Sequence, residues 1–90
     1  MKALNLTQIL EITEGTANRE ADITIKEVSA LIDGSINSIS FLGNKRYISQ
    51  IKDSQAAIIL VDKEFDTQGF DKLFISCEDP SASFTKVANY

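Results

Sequence analysis

The stretch Ala56-Ala57-Ile58-Ile59-Leu60-Val61 is continuously apolar and shows no alternation with polar residues. Such a run is typical of a strand that is buried on both faces, as in a parallel sheet covered by helices. Further strand patterns occupy residues 22–28, 38–42 and 73–77. In the first of these, apolar and polar residues alternate, which predicts a half-buried strand.

A short amphipathic helix is predicted near the start of the chain. Apolar residues fall at helical spacing over residues 6–12, and either Asn5 or Thr7 can cap the first turn. Gly15 is expected to end this helix as a left-handed residue after its last turn.

Two further helices are predicted from their capping residues. Asn44 is placed to cap a helix over residues 45–52, and Asp79 followed by Pro80 is a favourable start for a last helix. The resulting order is helix, strand, strand, helix, buried strand, strand, helix. This order predicts the α/β fold class, with a small mixed sheet flanked by helices.

Length and charge limit the classes of function. A chain of 90 residues suits one domain over residues 1–90. No stop signal precedes Tyr90 in the last helix, so we expect this domain to be the front end of a longer protein. The net charge of −4 and the pI near 4.6 argue against a protein that holds DNA or RNA by its phosphates. They are compatible with a mononucleotide, whose phosphates need only local cations or N–H groups.

The chain contains one cysteine and no histidine, which restricts its chemistry. We therefore expect no disulfide, no metal site, no cofactor and no Ser-His or Cys-His catalysis. Cys77 lies in an apolar run and is predicted to be a buried, inert thiol rather than a nucleophile. There is no signal-peptide pattern and no stretch long enough for a membrane span, so a cytoplasmic domain is expected.

The segment Phe41-Leu42-Gly43-Asn44-Lys45-Arg46-Tyr47 places two aromatic rings on either side of a short turn. Two such rings can clamp a flat base, because stacking a base on an aromatic face contributes about 1–3 kcal/mol. In the alternative interpretation, Phe41 ends a buried strand and Tyr47 packs on the inner side of a helix.

From Ile25 onward, the order of motifs resembles the N-terminal, non-repeat domain of the UDP-3-O-acylglucosamine N-acyltransferase family of lipid A biosynthesis. The most specific piece is a strand, the pattern Phe-Leu-x-Asn-x-x-Tyr and a helix, beginning at residues 39–47. The apolar run within residues 54–61 and the Asp-Pro-Ser helix start at residues 79–81 follow in the same order. The resemblance covers nearly the whole chain, residues 6–90.

The resemblance implies a uridine-binding module with an α/β fold like the N-terminal domains of Mur ligases. In the family, uracil is held between the Phe and the Tyr of the motif, and the Asn lies near the base. The corresponding residues here are Phe41, Tyr47 and Asn44, although Asn44 would also have to cap its helix. Lys45 and Arg46 are candidates for phosphate or ribose contacts, with a solvated pair of cations as the alternative.

The sequence departs from the family pattern in two places. The family usually has Gly-Asp before the strand that carries the Phe, whereas this chain has Asn37-Ser38. Asn tolerates the left-handed backbone that a Gly would take, so we expect the turn to be kept. The family's catalytic part is a left-handed β-helix of hexapeptide repeats with a histidine as general base. This chain has neither, so we expect no catalytic residue in it.

The resemblance also implies partners for the full-length protein. It would transfer a 3-hydroxyacyl group from acyl carrier protein to the glucosamine amine of UDP-3-O-acylglucosamine. It would form a homotrimer through the repeat domain, whereas this part alone would be a monomer. Two alternatives remain open: the uridine-binding N-terminal domain of a Mur-type ligase, and a small α/β interaction module without a nucleotide site. In the second, the acidic residues 62–66 would face solvent or a partner.

Overall fold

The computed structural model describes residues 1–90 and shows the predicted α/β fold. Its strands are β1 (Leu4–Asn5), β2 (Thr16–Ala17), β3 (Thr24–Ile25), β4 (Glu27–Val28), β5 (Ser38–Phe41), β6 (Ile58–Asp62) and β7 (Phe74–Cys77). Its α-helices are α1 (Leu6–Thr13) and α2 (Pro80–Ala88), and two 3-10 helices span Leu31–Asp33 and Lys45–Gln50. None of these helices combines the length and the apolar character that crossing a membrane requires.

Five strands form one mixed sheet in the order β2-β7-β6-β5-β4, and β1 pairs with β3 in a separate two-stranded sheet. Strands β4 to β7 are parallel to their neighbours, and β2 joins the edge of β7 in the antiparallel direction. Strand β6 therefore lies at the centre of the sheet, and residues 58–61 are completely buried. The predicted strand that is buried on both faces is confirmed.

Successive side chains of β6 point into two different cores, as the pleat of a strand requires. Ile58 and Leu60 belong to the first core, which α1 and α2 cover. Ile59 and Val61 belong to the second core, together with Ile51 after the second 3-10 helix. The sheet is thus covered by the α-helices on one face and by the 3-10 helices and loops on the other.

The strand predicted over residues 22–28 is present as two short strands that pair with different partners. Thr24–Ile25 pairs with β1, so that Ile25 lies opposite Leu4 and is fully buried. Glu27–Val28 pairs with β5 at the edge of the larger sheet, where Val28 is exposed. The chain changes partner at Lys26, whose N–H donates to the carbonyl of Asn37 at 2.8 Å.

The end of α1 differs from the expectation for Gly15. Glu14, not Gly15, takes the left-handed conformation, with φ of 53°. The prediction that Gly15 is left-handed is therefore wrong. A glycine is needed at this position for a different reason. A Cβ at Gly15 would lie 2.5 Å from Ile75 Cγ2 and 2.8 Å from the carbonyl oxygen of Ser76. A side chain at this position would collide with β7.

Both capping predictions for the later helices are confirmed. The Asp79 side chain accepts a hydrogen bond from the Ala82 N–H at 3.1 Å, with Pro80 at the first helical position. Asn44 caps the middle helix through a hydrogen bond from the Arg46 N–H at 3.0 Å. This middle helix is a 3-10 helix and ends at Gln50, two residues before the predicted end at residue 52.

The turn before β5 is kept, but not by a left-handed asparagine. Asn37 does not take the left-handed conformation, and Glu14 is the only non-glycine residue with a positive φ. Instead, the Ser38 hydroxyl accepts hydrogen bonds from the Ser29 hydroxyl and the Ser35 N–H, both at 2.9 Å. The Asn37 amide donates to the carbonyl of Thr24 at 3.1 Å. Side-chain hydrogen bonds therefore replace the backbone freedom of a glycine.

Candidate functional site

A cavity of about 320 Å³ opens where β4 and β5 end. The two strands are parallel, so their carboxyl ends meet at the same edge of the sheet. In open α/β sheets, ligands bind in crevices outside the carboxyl ends of the strands. The cavity is lined by residues from the segments that follow β4 and β5 and from the end of β5 itself: Ala30, Leu31, Ser40, Phe41, Gly43, Asn44, Tyr47 and Gln50.

Phe41 is the last residue of β5 and is half-buried in the cavity wall. Its ring packs against Phe84 of α2, with the ring centroids 4.6 Å apart and the planes inclined by 40°. On another side the ring lies close to the turn, because a Cβ on Gly43 would be 2.7 Å from Phe41 Cε2. The position of this ring is therefore restricted by both Phe84 and Gly43.

Tyr47 lies in the second 3-10 helix and lines the same cavity as Phe41. Its side chain is 40% exposed, and the Arg46 guanidinium lies 5.1 Å from the centre of its ring. At this distance a guanidinium is attracted to the face of an aromatic ring. The structure thus brings the two predicted rings to one cavity, and neither of them is fully buried as core packing alone would require.

Asn44 caps the second 3-10 helix, as predicted. Its Oδ1 accepts the hydrogen bond from Arg46, and its backbone carbonyl accepts the Tyr47 N–H at 3.0 Å. Its side-chain NH2 group forms no hydrogen bond within the protein. An amide can donate through nitrogen while its oxygen accepts, so the cap leaves the donors of Asn44 available to a ligand.

Lys45 and Arg46 are both exposed at the start of the same 3-10 helix. Neither forms an ion pair, since the ion pairs of this chain are Arg19–Asp71 and Lys63–Glu78. Two cations without carboxylate partners therefore stand next to the cavity mouth. They are available to an anionic group but do not themselves line the cavity.

The sequence prediction missed two polar residues of the cavity, Ser40 and Gln50. Gln50 follows Tyr47 by three residues, which places both on one side of a 3-10 helix. Ser40 lies between Ile39 and Phe41 in β5, where serines alternate with apolar residues and point to the opposite face of the strand. These spacings were the available signals, but neither shows by itself that the side chain reaches a cavity.

The remaining candidates of the sequence do not form a reactive site. Cys77 is fully buried, as predicted, and burial raises the pKa of its thiol. A raised pKa keeps the thiol protonated and unreactive at neutral pH. The side chains form no cluster of carboxylates and thiols that could hold a metal ion. Two other surface cavities, of about 520 and 330 Å³, lie beside α1 and lack paired aromatic walls.

Comparison with known proteins adds independent information on the family. Residues 22–90 match the family model described as UDP-3-O-(3-hydroxymyristoyl) glucosamine N-acyltransferase, LpxD. A curated protein of Shewanella frigidimarina (strain NCIMB 400), named UDP-3-O-acylglucosamine N-acyltransferase, is 30% identical over 86 residues, which are 94% of this chain and 25% of that protein. Proteins with the same name from Shewanella sp. (strain MR-7) and Methylacidiphilum infernorum (isolate V4) are 27% and 28% identical and cover 98% and 97% of this chain. These alignments take in 26% and 24% of the relatives, so the chain spans about a quarter of their length.

Proposed function

Because this chain belongs to the UDP-3-O-(3-hydroxymyristoyl) glucosamine N-acyltransferase family, we propose that it recognises the uridine end of a UDP-sugar substrate. The observation that carries this proposal is the cavity at the carboxyl edge of the sheet, which Phe41 and Tyr47 line together. In the proposed complex, the uracil ring lies between the two aromatic side chains. The family resemblance of the sequence motif and the position of the cavity support the same two residues.

The cavity suits a flat, mostly apolar ring with a polar edge. Its volume of about 320 Å³ is at the small end of the range for ligand pockets. Leu31 and Ala30 add apolar surface to the two rings. Stacking on aromatic faces contributes about 1–3 kcal/mol per base in single-stranded nucleic acid complexes, and we expect a similar contribution here.

The polar groups around the cavity match the remaining parts of a uridine nucleotide. The free NH2 of Asn44 can donate to a carbonyl oxygen of uracil, while its Oδ1 keeps the helix capped. Lys45 and Arg46 would contact ribose or phosphate, and the lack of a carboxylate partner for either cation supports this role. Phosphate oxygens are strong acceptors for such cations.

We assign residues 1–90 the role of one substrate-recognition domain in a longer, cytoplasmic enzyme of lipid A biosynthesis. That enzyme would transfer a 3-hydroxyacyl group from acyl carrier protein to the amine of UDP-3-O-acylglucosamine. Its other segments would carry out the chemistry and form the trimer. A Mur-type ligase would use the same uridine chemistry, but the family match over residues 22–90 favours the acyltransferase.

Calorimetric titration of this chain with UDP tests the proposed site. We expect Phe41→Ala and Tyr47→Ala each to weaken UDP binding by about 5- to 150-fold, which corresponds to a loss of about 1–3 kcal/mol of stacking. Phe65→Ala is the matched control for Phe41, because Phe65 is also half-buried but packs against Phe70 and Phe74. Tyr90→Ala is the control for Tyr47, because Tyr90 is exposed and does not line this cavity.

The pattern of the four variants decides between the candidate functions. Binding that survives in both Phe41→Ala and Tyr47→Ala would contradict the clamp. Absence of UDP binding by the unmodified chain at millimolar concentration would favour the α/β interaction module without a nucleotide site. ADP serves as the control ligand, because it carries the same diphosphate with a different base.

A further inference from the structure

Phe41 and Tyr47 line the same cavity, but different contacts fix them in the fold. Phe41 ends β5 and packs in a layer of side chains, since its ring centroid lies 4.6 Å from that of Phe84. Phe84 does not line the cavity, so it supports the Phe41 ring from outside the cavity. One of the two aromatic walls therefore has a second ring behind it that limits its movement.

Tyr47 has no comparable support from the core. The 3-10 helix Lys45–Gln50 contains no buried residue, and Tyr47 itself is 40% exposed. Side chains of exposed residues change rotamer within picoseconds to nanoseconds. A base that stacks on a mobile ring has to immobilise it, and the lost conformational freedom reduces the affinity. A group that fixes the Tyr47 ring before the ligand arrives would remove this cost.

Arg46 supplies such a group. Its guanidinium lies over the Tyr47 ring, with Cζ 5.1 Å from the ring centroid, and it is the one cation of the chain in such a position. A guanidinium within about 6 Å of a ring centroid is attracted by the negative face of the ring. Tyr47 lines the cavity and Arg46 does not, so the guanidinium covers a part of the ring that the cavity does not use.

The surroundings of Arg46 favour this contact. Its N–H donates to Asn44 Oδ1 at 3.0 Å, and the Tyr47 N–H donates to the Asn44 carbonyl at 3.0 Å. One capping residue thus fixes the backbone of both partners. Arg46 also forms no ion pair with a carboxylate, which would compete with the ring for the guanidinium.

We propose that Arg46 is a positioning residue for the base, because its guanidinium keeps the Tyr47 ring in the orientation that stacks on it. This inference rests on the proposed function, since it needs a base between Phe41 and Tyr47. Arg46 then supports one aromatic wall as Phe84 supports the other. The role acts through Tyr47 and requires no charge on the ligand. A guanidinium has five N–H donors, so contact with a ring leaves donors free for a phosphate.

Solution NMR of the ligand-free chain tests the contact between Arg46 and Tyr47. The ring current shifts protons over the face of an aromatic ring upfield. The side-chain Hδ and Hε protons of Arg46 should therefore resonate upfield of those of Arg19, the other arginine of the chain, which lies over no ring. Tyr47→Leu should abolish this difference and leave the Arg19 protons unchanged. Arg46 protons with ordinary shifts in the unmodified chain would overturn the inference, whether or not a ligand binds.

NMR titrations with uridine and with UDP test the effect on binding, because uridine has the base and ribose of UDP but no phosphate. We expect Arg46→Ala to raise the Kd for uridine by about 2- to 5-fold, which corresponds to a cation–π contact at an exposed site. The Kd for UDP should rise by at least the same factor.

Lys52→Ala is the matched control for Arg46→Ala. Lys52 is also exposed and without an ion pair, but it lies over no ring and does not line the cavity. The Kd for uridine should not change in this variant. Because both cations are exposed, neither substitution should change Tm by more than about 4 °C. A uridine Kd that rises equally in both variants would refute a specific role of Arg46.

A double variant shows whether Arg46 acts through Tyr47. In a Tyr47→Leu background, Arg46→Ala should not change the Kd for uridine any further, because no ring remains to be positioned. A further loss of the same size as in the original chain would assign Arg46 to a direct contact with the ribose and overturn the inference.

The outcomes separate this inference from the proposed function. If neither uridine nor UDP binds to the unmodified chain, the proposed function fails and the positioning role fails with it. If Phe41→Ala and Tyr47→Ala weaken binding but Arg46→Ala does not, the role of Arg46 alone is refuted. If Arg46→Ala weakens the binding of UDP but not of uridine, Arg46 contacts the phosphates only and does not position Tyr47.

Discussion

Gly43→Ala is expected to disturb the proposed uracil site without replacing a side chain that is proposed to contact the ligand. A Cβ at this position would lie 2.7 Å from Cε2 and 3.4 Å from Cδ2 of Phe41. Ordinary van der Waals contact begins near 3.4 Å, so the ring has to move by roughly 0.7 Å to relieve the overlap. Phe84 restricts one direction of that movement, since its ring centroid lies 4.6 Å from that of Phe41.

Two opposing terms set the change in the free energy of unfolding. Forcing extra volume against a packed side chain costs about 1–3 kcal/mol. Gly43 does not have a positive φ, so alanine is allowed there and contributes about 0.4–1 kcal/mol by restricting the unfolded chain. We therefore expect a net loss of up to about 2.5 kcal/mol, because the first term is the larger.

The effect on binding should be larger than that on stability. A displaced Phe41 ring no longer stacks correctly on a base, and the stacking at risk is about 1–3 kcal/mol, or about 5- to 150-fold in Kd. Calorimetry with UDP and thermal unfolding of the free chain measure the two effects. Gly69→Ala is the control, because Gly69 has φ of +88° and no atom within 4 Å of a Cβ.

Gly69→Ala should lower stability through backbone strain of about 1–2 kcal/mol and leave UDP binding unchanged. Both variants should therefore be less stable than the original chain, but only Gly43→Ala should bind UDP more weakly. Weaker binding by Gly43→Ala alone cannot then be a general consequence of lost stability. If Gly43→Ala binds UDP like the original chain and unfolds at a higher temperature, the Phe41 ring is not confined by Gly43. The reasoning on the shape of the cavity would then be wrong.

Two further predictions concern Asn44 and Cys77. Asn44→Asp keeps an oxygen that can accept the Arg46 N–H and cap the helix, but it removes the NH2 donors. The Tm should therefore stay within about 3 °C, while UDP binding weakens by about 5- to 30-fold. Equal UDP binding by both proteins would show that the amide donates nothing to the ligand. Burial raises the pKa of the Cys77 thiol above the reference value of 9.0, so above pH 9 the unfolded chain loses this proton before the folded chain does. Stability from this group is fully present below pH 9 and should fall above it by at most about 1.4 kcal/mol per pH unit. The alkaline decrease in Tm should be shallower in Cys77→Ala, and an identical pH profile in both proteins would contradict the role of the thiol.

Sequence reasoning succeeded where a structural feature depends on neighbouring residues in the chain. The apolar run at residues 56–61 is sufficient to predict a strand with no solvated face, and β6 is that strand. Asp79 and Asn44 cap helices because a short polar side chain before a helix reaches its first free N–H groups. None of these features needs information about a distant segment.

Sequence reasoning failed where the partner of a segment decides its structure. Residues 22–28 alternate as one strand would, yet β3 pairs with β1 and β4 pairs with β5. Which strand each segment pairs with depends on the folded chain, and the alternation of side chains along residues 22–28 does not predict it. Gly15 was misassigned for the same reason, because its small size is required by contact with β7, far along the chain.

The candidate site shows the same division between local and distant information. The sequence singles out Phe41 and Tyr47 because both belong to one short motif around a turn, and the structure shows that both line one cavity. Ser40 belongs to the same strand, but the sequence does not show that this residue lines the cavity. That condition depends on every segment packed around β5, so only the folded structure reveals it.

The arrangement of layers gives a physical reason for the proposed base site at the end of β5. Phe41 packs with the helix layer through Phe84, whereas Tyr47 belongs to the 3-10 helix that covers the opposite face. A flat ring bound beyond the last residue of β5 would therefore lie between the two layers, at the level of the sheet. Along β5, the alternation that sends Phe41 to one layer sends Ser40 to the other. Two consecutive residues of one strand thus line the same cavity from opposite faces of the sheet, and exchanging their order would take the aromatic ring away from Phe84 and the helix layer.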